Sequence, residues 1–190
     1  MHRRPLLALL ETYELQYPDE SAVANRIRQL VVDHEDCFLR TCRPGHITGS
    51  AWLLSHDRAK CLLLHHRKLD RWLQPGGHAD GQSDPVKVAH REAQEESGLM
   101  TLTLENDGLP LDLDVHEIPA RYDSNGVVVE DAHEHHDIRF LFSAAAGEEL
   151  VVSDESHELR WLTHDEVLNL TDEESVLRMM RKAGPLQSAH

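Results

Sequence analysis

The stretch between Gly76 and Leu99 constrains the fold of this chain more than any other. It contains Glu92, Glu95 and Glu96, whose spacing places all three carboxylates on one face of a single helical turn. Such carboxylates repel one another, whereas a bound divalent cation converts that repulsion into binding energy. Oxygen ligands are also the donors that Mg²⁺ and Mn²⁺ prefer. The stretch therefore predicts a helix whose acidic face binds a metal ion in a cleft.

The ends of this helix are marked by residues with well-defined preferences. Asp84 is suited to the N-cap, Pro85 to the first helical position and Gly98 to the position after the last turn. The apolar face expected to pack on a sheet consists of Val86, Ala89 and Ala93. Before the helix, the paired glycines Gly76 and Gly77 allow close backbone approach, and the carbonyl of Gly77 is a candidate metal ligand.

The remaining chain alternates between strand-like and helix-like patterns. Two apolar stripes with helical spacing predict two helices in residues 1–45, which would cover the main domain or a second copy of the chain. Strands are expected within 46–54, 60–65, 102–105, 111–118, 133–142 and 158–162, and helices within 165–170 and 173–182. This order predicts an α/β or α+β layered domain over residues 46–190, preceded by an N-terminal helical extension over 1–45.

The composition excludes several classes of partner. A formal net charge of −15 argues against binding to duplex nucleic acid or to an anionic membrane, although a small phosphorylated substrate remains compatible. The three cysteines, Cys37, Cys42 and Cys61, have no framework spacing and are expected to be free thiols. The apolar run near the N-terminus is too short for a signal peptide, so we expect a cytoplasmic protein. The Leu-rich first helix favours a homodimer.

The stretch from Gly77 to Leu99 resembles the Nudix box, G-x5-E-x7-R-E-U-x-E-E-x-G-U, in which U is an apolar residue. The matching positions are Gly77, Arg91, Glu92, Ala93, Glu95, Glu96, Gly98 and Leu99. The chain differs at Ser83, which stands where the pattern has its first glutamate, and Ala93 is a small residue at an apolar position. With its flanking segments, the resemblance covers roughly residues 46 to 170.

The resemblance implies a Nudix-type α/β/α sandwich with a mixed sheet and a pyrophosphohydrolase activity that depends on Mg²⁺ or Mn²⁺. In that family the box holds the metal against a diphosphate, and water attacks one phosphorus. Glu92 and Glu96 would be the main metal ligands and Glu95 an additional one. Arg91 would orient a carboxylate. The catalytic set implied by the resemblance is Glu92, Glu95 and Arg91.

A second group of candidate residues lies in the segment from His133 to Asp137. On an extended strand His133, His135 and Asp137 share one side, where they could meet a metal ion or a phosphate group. Zn²⁺ accepts such ligands, and His78 is a candidate fourth ligand if the glycine loop lies beside this strand. An ordinary polar, His-rich loop leading into a strand is the alternative.

The general base is not chosen by the sequence. The candidates outside the box are Glu134, Asp137, Glu155 and Glu158. We predict a divalent-metal-dependent hydrolase that cleaves the diphosphate linkage of a nucleoside diphosphate derivative or a similar small phosphorylated compound. Two alternatives stay open: a catalytically weak, nucleotide-binding Nudix sensor, favoured by Ser83, and a His-rich protein that binds a transition metal.

Overall fold

The computed structural model describes residues 2–187 and contains five α-helices, two short 3-10 helices and ten strands within that range. The helices are α1 (Arg4–Gln16), α2 (Ser21–Asp33), α3 (Pro85–Ser97), α4 (His164–Leu170) and α5 (Glu174–Ala183). The strands are β1 (Gly45–Leu54), β2 (Cys61–His66), β3 (Arg71–Leu73), β4 (Gly76–His78), β5 (Leu102–Leu104), β6 (Asp112–Ile118), β7 (Arg121–Tyr122), β8 (Val128–Glu130), β9 (His133–Ala144) and β10 (Ser156–Leu162). Residues 188–190, the end of the predicted main domain, lie outside the described range.

Eight strands form one mixed sheet in the order β10-β2-β1-β9-β5, with β3 beside β2, β4 beside β1 and β6 beside β9. The central pair, β1 and β9, is parallel, with Ser50 opposite Arg139, and the other pairs are antiparallel. The pairing of β6 with β9 was left open by the sequence. Strands β7 and β8 form a separate hairpin.

Helices cover both faces of this sheet, which confirms the predicted α/β sandwich with a mixed sheet. All ten residues of β1 are buried, as expected for a strand covered on both sides. On one face Ile47 and Ala51 join the buried residues of α1, α2 and α3, whereas on the other face Trp52 packs with α4 and α5. Alternate residues of a central strand therefore serve two apolar cores.

Helix α3 begins and ends as predicted. The Asp84 side chain accepts a hydrogen bond from the Val86 backbone N–H at 3.1 Å, and Gly98 has a φ of 75°. The apolar face differs from the prediction, because Val88 rather than Val86 is fully buried beside Ala89 and Ala93. A Cβ at Gly49 would lie 2.9 Å from the Cβ of Val88, so this glycine lets α3 approach β1 closely.

The N-terminal helices pack on the rest of the chain and share its core. Leu6, Leu10, Tyr13 and Ile27 are fully buried in the same apolar cluster as Ile47. The leucine stripe that favoured a homodimer is therefore covered within one chain, although Leu15 is exposed. No helix within residues 2–187 combines the length and the apolar character needed to cross a membrane.

Candidate active site

Two glutamates of α3 converge on the backbone of β4. The Gly76 N–H donates to Glu96 Oε2 at 2.8 Å. A Cβ on Gly77 would lie only 2.4 Å from Glu92 Oε2, so the absence of a side chain at Gly77 is what lets the Glu92 carboxylate reach the strand. The glycine pair and the helix thus form one cradle with two carboxylates on its wall.

These two buried carboxylates have too few neighbouring cations to balance their negative charge. Glu96 is 7% exposed, and the Glu92 side chain is 15% exposed. Burial, together with the nearby charges of Glu92 and Glu155, raises the pKa of Glu96 to about 8, although the hydrogen bond from Gly76 acts in the opposite direction. Burial also raises the pKa of Glu92, and the adjacent Arg91 only partly offsets this effect. A divalent cation would supply the missing charge, so the donor set fits Mg²⁺ or Mn²⁺.

Arg91 connects the helix to the strand. Its guanidinium donates to Glu92 Oε1 at 2.5 Å and to the carbonyl oxygen of His78 at 2.7 Å. The same side chain therefore fixes the orientation of one carboxylate and the position of the strand that carries Gly77.

Glu95 differs from the other two glutamates of the box. Its side chain is 62% exposed, and its nearest cation is the Arg91 Nε at 3.9 Å. The three carboxylates lie on one helical turn, but only Glu92 and Glu96 lie against β4. The sequence spacing did not distinguish among them.

Three of the four candidate general bases have close cationic or hydrogen-bonding partners of their own. Glu134 accepts from the His136 ring at 3.1 Å and is ion-paired with Arg26. Glu158 accepts two hydrogen bonds from the Arg160 guanidinium, at 2.6 and 2.7 Å, and both side chains are partly exposed.

Asp137 is the most enclosed of these candidates. It accepts hydrogen bonds from Thr48 and Ser50 at 2.8 to 2.9 Å and from the Arg139 Nε at 2.8 Å. The structure thus places Asp137 in a buried polar network of hydroxyl groups and a guanidinium.

Glu155 is the candidate whose charge reaches the glutamate cradle. It is exposed and lies directly before β10, where its backbone carbonyl accepts from the Arg67 N–H at 2.9 Å. Its negative charge contributes to the raised pKa of Glu96. Of the four candidates, Glu155 combines solvent access with proximity to the cradle.

Arg40 is a cation near this region that the sequence analysis did not identify. It binds Asp80, in the loop before α3, through two contacts of 2.6 and 2.7 Å, and these contacts lower the pKa of Asp80. Arg40 belongs to the predicted extension, and no motif surrounds it. Its role at the box loop depends entirely on how the extension packs.

Three histidines from three strands meet on the sheet. The ligand nitrogens of His46 on β1, His78 on β4 and His135 on β9 all lie within 4.8 Å of one another. The ring centroid of His133 lies 4.9 Å from that of His46, and the His133 Nδ1 is 2.9 Å from the Asp131 carbonyl oxygen. The structure therefore brings His78 and His135 together, as the sequence suggested.

The sequence analysis missed His46. A signal was available in the alternation of β1, where His46, Thr48 and Ser50 make one polar face on a strand that is otherwise largely apolar. Burial lowers the pKa of His46 to about 4 and that of His135 to about 2, so both rings are neutral at pH 7.

The family model described as "NUDIX domain" matches residues 46–183. The chain belongs to the Nudix family, and its class is that of the Nudix pyrophosphohydrolases. No curated protein matches the chain in sequence.

Solved structures with a similar fold include a NUDIX-family hydrolase from Clostridium perfringens, at 25% identity and a TM-score of 0.56, covering 73% of this chain and 95% of the other. An Ap4A hydrolase from C. elegans matches at 19% identity and a TM-score of 0.55, with coverages of 72% and 93%. The E. coli dihydroneopterin triphosphate pyrophosphohydrolase matches at 18% identity and a TM-score of 0.50, with coverages of 73% and 94%.

Proposed function

We propose that this protein hydrolyses the diphosphate linkage of a nucleoside diphosphate derivative or a similar small phosphorylated compound. Mg²⁺ or Mn²⁺ would be held by the carboxylates of Glu92 and Glu96 together with the carbonyl oxygen of Gly77. The observation that carries this proposal is the pair of largely buried carboxylates of α3 that lie against β4, with Arg91 as the cation bound directly to one of them. Such an arrangement is costly unless a cation completes it.

The substrate class is supported by chemistry and by the names of similar structures. A cation between two carboxylates can bind a phosphoric anhydride, whose own negative charge would otherwise be repelled by a chain of net charge −15. The names of the C. elegans and E. coli structures describe enzymes that act on phosphorylated compounds. The likeness of these structures supports the fold of this chain. At 18% to 19% identity, it leaves the particular substrate open.

The side chains have separate tasks in this proposal. When bound, the metal ion neutralises the diphosphate and promotes attack by water. Arg91 holds the Glu92 carboxylate in place through its contact with the His78 carbonyl oxygen. Glu155 is exposed and close enough to influence Glu96, which makes it our choice among the general-base candidates for accepting a proton from water. Arg40, held by Asp80, supplies a cation at the box loop.

A nucleotide-binding sensor with weak catalysis is the second candidate, because Ser83 replaces a carboxylate in the loop of the box. This difference leaves the loop without the carboxylate of the pattern, whereas Glu92 and Glu96 are both present. The two candidates differ in turnover and agree in binding. A panel of dinucleotides, nucleotide sugars and nucleoside triphosphates, incubated with Mg²⁺, separates them by the release of phosphate or nucleoside monophosphate.

Substitution of Glu96 by Gln tests the site directly. Mutation of a residue that hydrogen-bonds to a metal ligand typically lowers metal affinity or activity by about 10- to 100-fold. Loss of the ligand itself should therefore lower divalent-dependent turnover by about 100-fold or more. The fold should persist, because Gln retains the acceptor for the Gly76 N–H. The matched control is Glu149→Gln, which changes an exposed glutamate outside the box. Undiminished activity of Glu96→Gln would remove Glu96 from the site, and nucleotide binding by the wild type without any turnover would favour the sensor.

A further inference from the structure

The histidine cluster contains buried nitrogen atoms that lack partners. Within the described residues, His46 Nδ1 and Nε2, His133 Nε2 and His135 Nε2 are all enclosed and make no hydrogen bond. His46 is 2% exposed and sits between the other rings, with centroids 5.1 Å from His78, 4.9 Å from His133 and 4.9 Å from His135. A buried polar group without a hydrogen-bond partner destabilises the folded chain, so several such groups in one place require an explanation.

We infer that His46, His78 and His135 bind a transition-metal ion of the Zn²⁺ type. Zn–N bonds of about 2.0–2.1 Å in a tetrahedral arrangement require nitrogens roughly 3.3 Å apart. The three ligand nitrogens already lie within 4.8 Å of one another, so modest side-chain rotations close the site. Three imidazoles with a fourth open position form a donor set that Zn²⁺ accepts and Mg²⁺ does not favour.

Neighbouring groups and burial leave ring nitrogens of this cluster with lone pairs that can bind a metal ion. The His133 ring stacks on that of His46. Its Nδ1 must be the donor to the Asp131 carbonyl oxygen, which leaves Nε2 with a free lone pair. This Nε2 is enclosed and unpartnered, and it makes His133 the candidate for the fourth position. Burial lowers the pKa of His78 as well, so the three ligands share the neutral form that metal binding needs.

This site is separate from the glutamate cradle. Successive residues of a strand point to opposite faces, and Gly77 faces Glu92, so the His78 side chain lies on the other face, beside His46 and His135. The inference therefore does not depend on the proposed hydrolase activity. One face of β4 would bind a hard cation through oxygen, and the other face a borderline cation through nitrogen.

The test uses the full-length chain without a polyhistidine tag, stripped with EDTA. Zn²⁺ titration by calorimetry should give one tight equivalent, and Co²⁺ should produce the visible absorption bands of a tetrahedral nitrogen site. His78→Gln and His135→Gln should each weaken Zn²⁺ binding by about 100-fold. His78 and His135 are both partly exposed, so either variant keeps the test decisive if the other fails to fold.

Two further variants locate the ion. His34→Gln is the matched control, because His34, Asp36 and Cys42 form another group with metal-ligand spacing, and this variant should bind Zn²⁺ as the wild type does. The double variant Glu92→Gln/Glu96→Gln should also retain the tight equivalent. The inference is overturned if no stoichiometric binding occurs, if His78→Gln binds like the wild type, or if the tight equivalent disappears in either of these two variants.

Discussion

Two groups of buried carboxylates lie in this protein, and they differ in what neutralises them. In the first group Asp112 is completely buried and contacts three cations, Arg139, Arg178 and Lys182, at 2.8 to 3.0 Å. The Arg139 guanidinium, 2% exposed, also binds Asp114 at 3.1 Å and Asp137 at 2.8 Å. We call this group, which joins β6, β9 and α5, the paired network.

The second group is the glutamate cradle of Glu92 and Glu96. Burial by itself would raise the pKa of Asp112, but the contacts from Arg178, Arg139 and Lys182 outweigh it and lower that pKa. At Glu96 the same burial has no neighbouring cation to oppose it, and the pKa rises to about 8. A carboxylate whose charge is balanced inside the chain stabilises the fold, whereas one left unbalanced is available for a cation from outside.

Removal of Arg139 should produce the largest effect. Arg139→Leu leaves three carboxylates without their shared cation in a buried position, and breaking a buried pair in this way costs about 3–5 kcal/mol of unfolding free energy. Urea denaturation measures the change. The control is Arg160→Leu, which removes an exposed ion pair with Glu158 and should leave the unfolding curve nearly unchanged. Equal curves for the two variants would mean that the paired network does not stabilise the protein.

Addition of Mg²⁺ should stabilise the protein through the cradle by a smaller amount. A ligand that binds only the folded state at ten times its Kd raises the unfolding free energy by about 1.4 kcal/mol. The thermal midpoint should therefore rise with Mg²⁺ concentration in the wild type and stay constant in the double variant Glu92→Gln/Glu96→Gln. A rise of the same size in both proteins would mean that Mg²⁺ binds outside the cradle. The cradle would then not differ from the paired network in its need for an external cation.

The smallest effect is expected from Glu95→Gln. Because the Glu95 side chain is mostly exposed and has Arg91 as its partner at 3.9 Å, its loss should lower turnover by less than about 10-fold, well below the effect of a direct ligand. Steady-state kinetics with Mg²⁺ on the best substrate of the panel compare it with Glu96→Gln. If the two variants lose activity equally, Glu95 belongs with the ligands, as the family resemblance implied.

The local part of this structure could be predicted from the sequence. Asp84 and Gly98 mark the ends of α3 because an N-cap and a left-handed residue are defined by their immediate neighbours. Thr163 caps α4 through a reciprocal contact with Glu166 for the same reason. The predicted strands reappear with ends shifted by a few residues, since their alternation is also a local property.

The contents of the two sites depended on contacts between distant segments. His46 joined the histidines because β4 and β9 lie on either side of β1, a register that no single segment specifies. Arg40 reached Asp80 because the N-terminal extension packs on the box loop.

The sequence by itself therefore determined the family, the box and the helix that carries its three glutamates. Only the tertiary structure decided that Glu92 and Glu96 are enclosed without enough cations, that Asp112 and Asp137 are balanced, and that Glu95 faces solvent. The physical reason is that spacing along a helix fixes which residues share a face. Desolvation and charge balance depend on every segment that packs against that face.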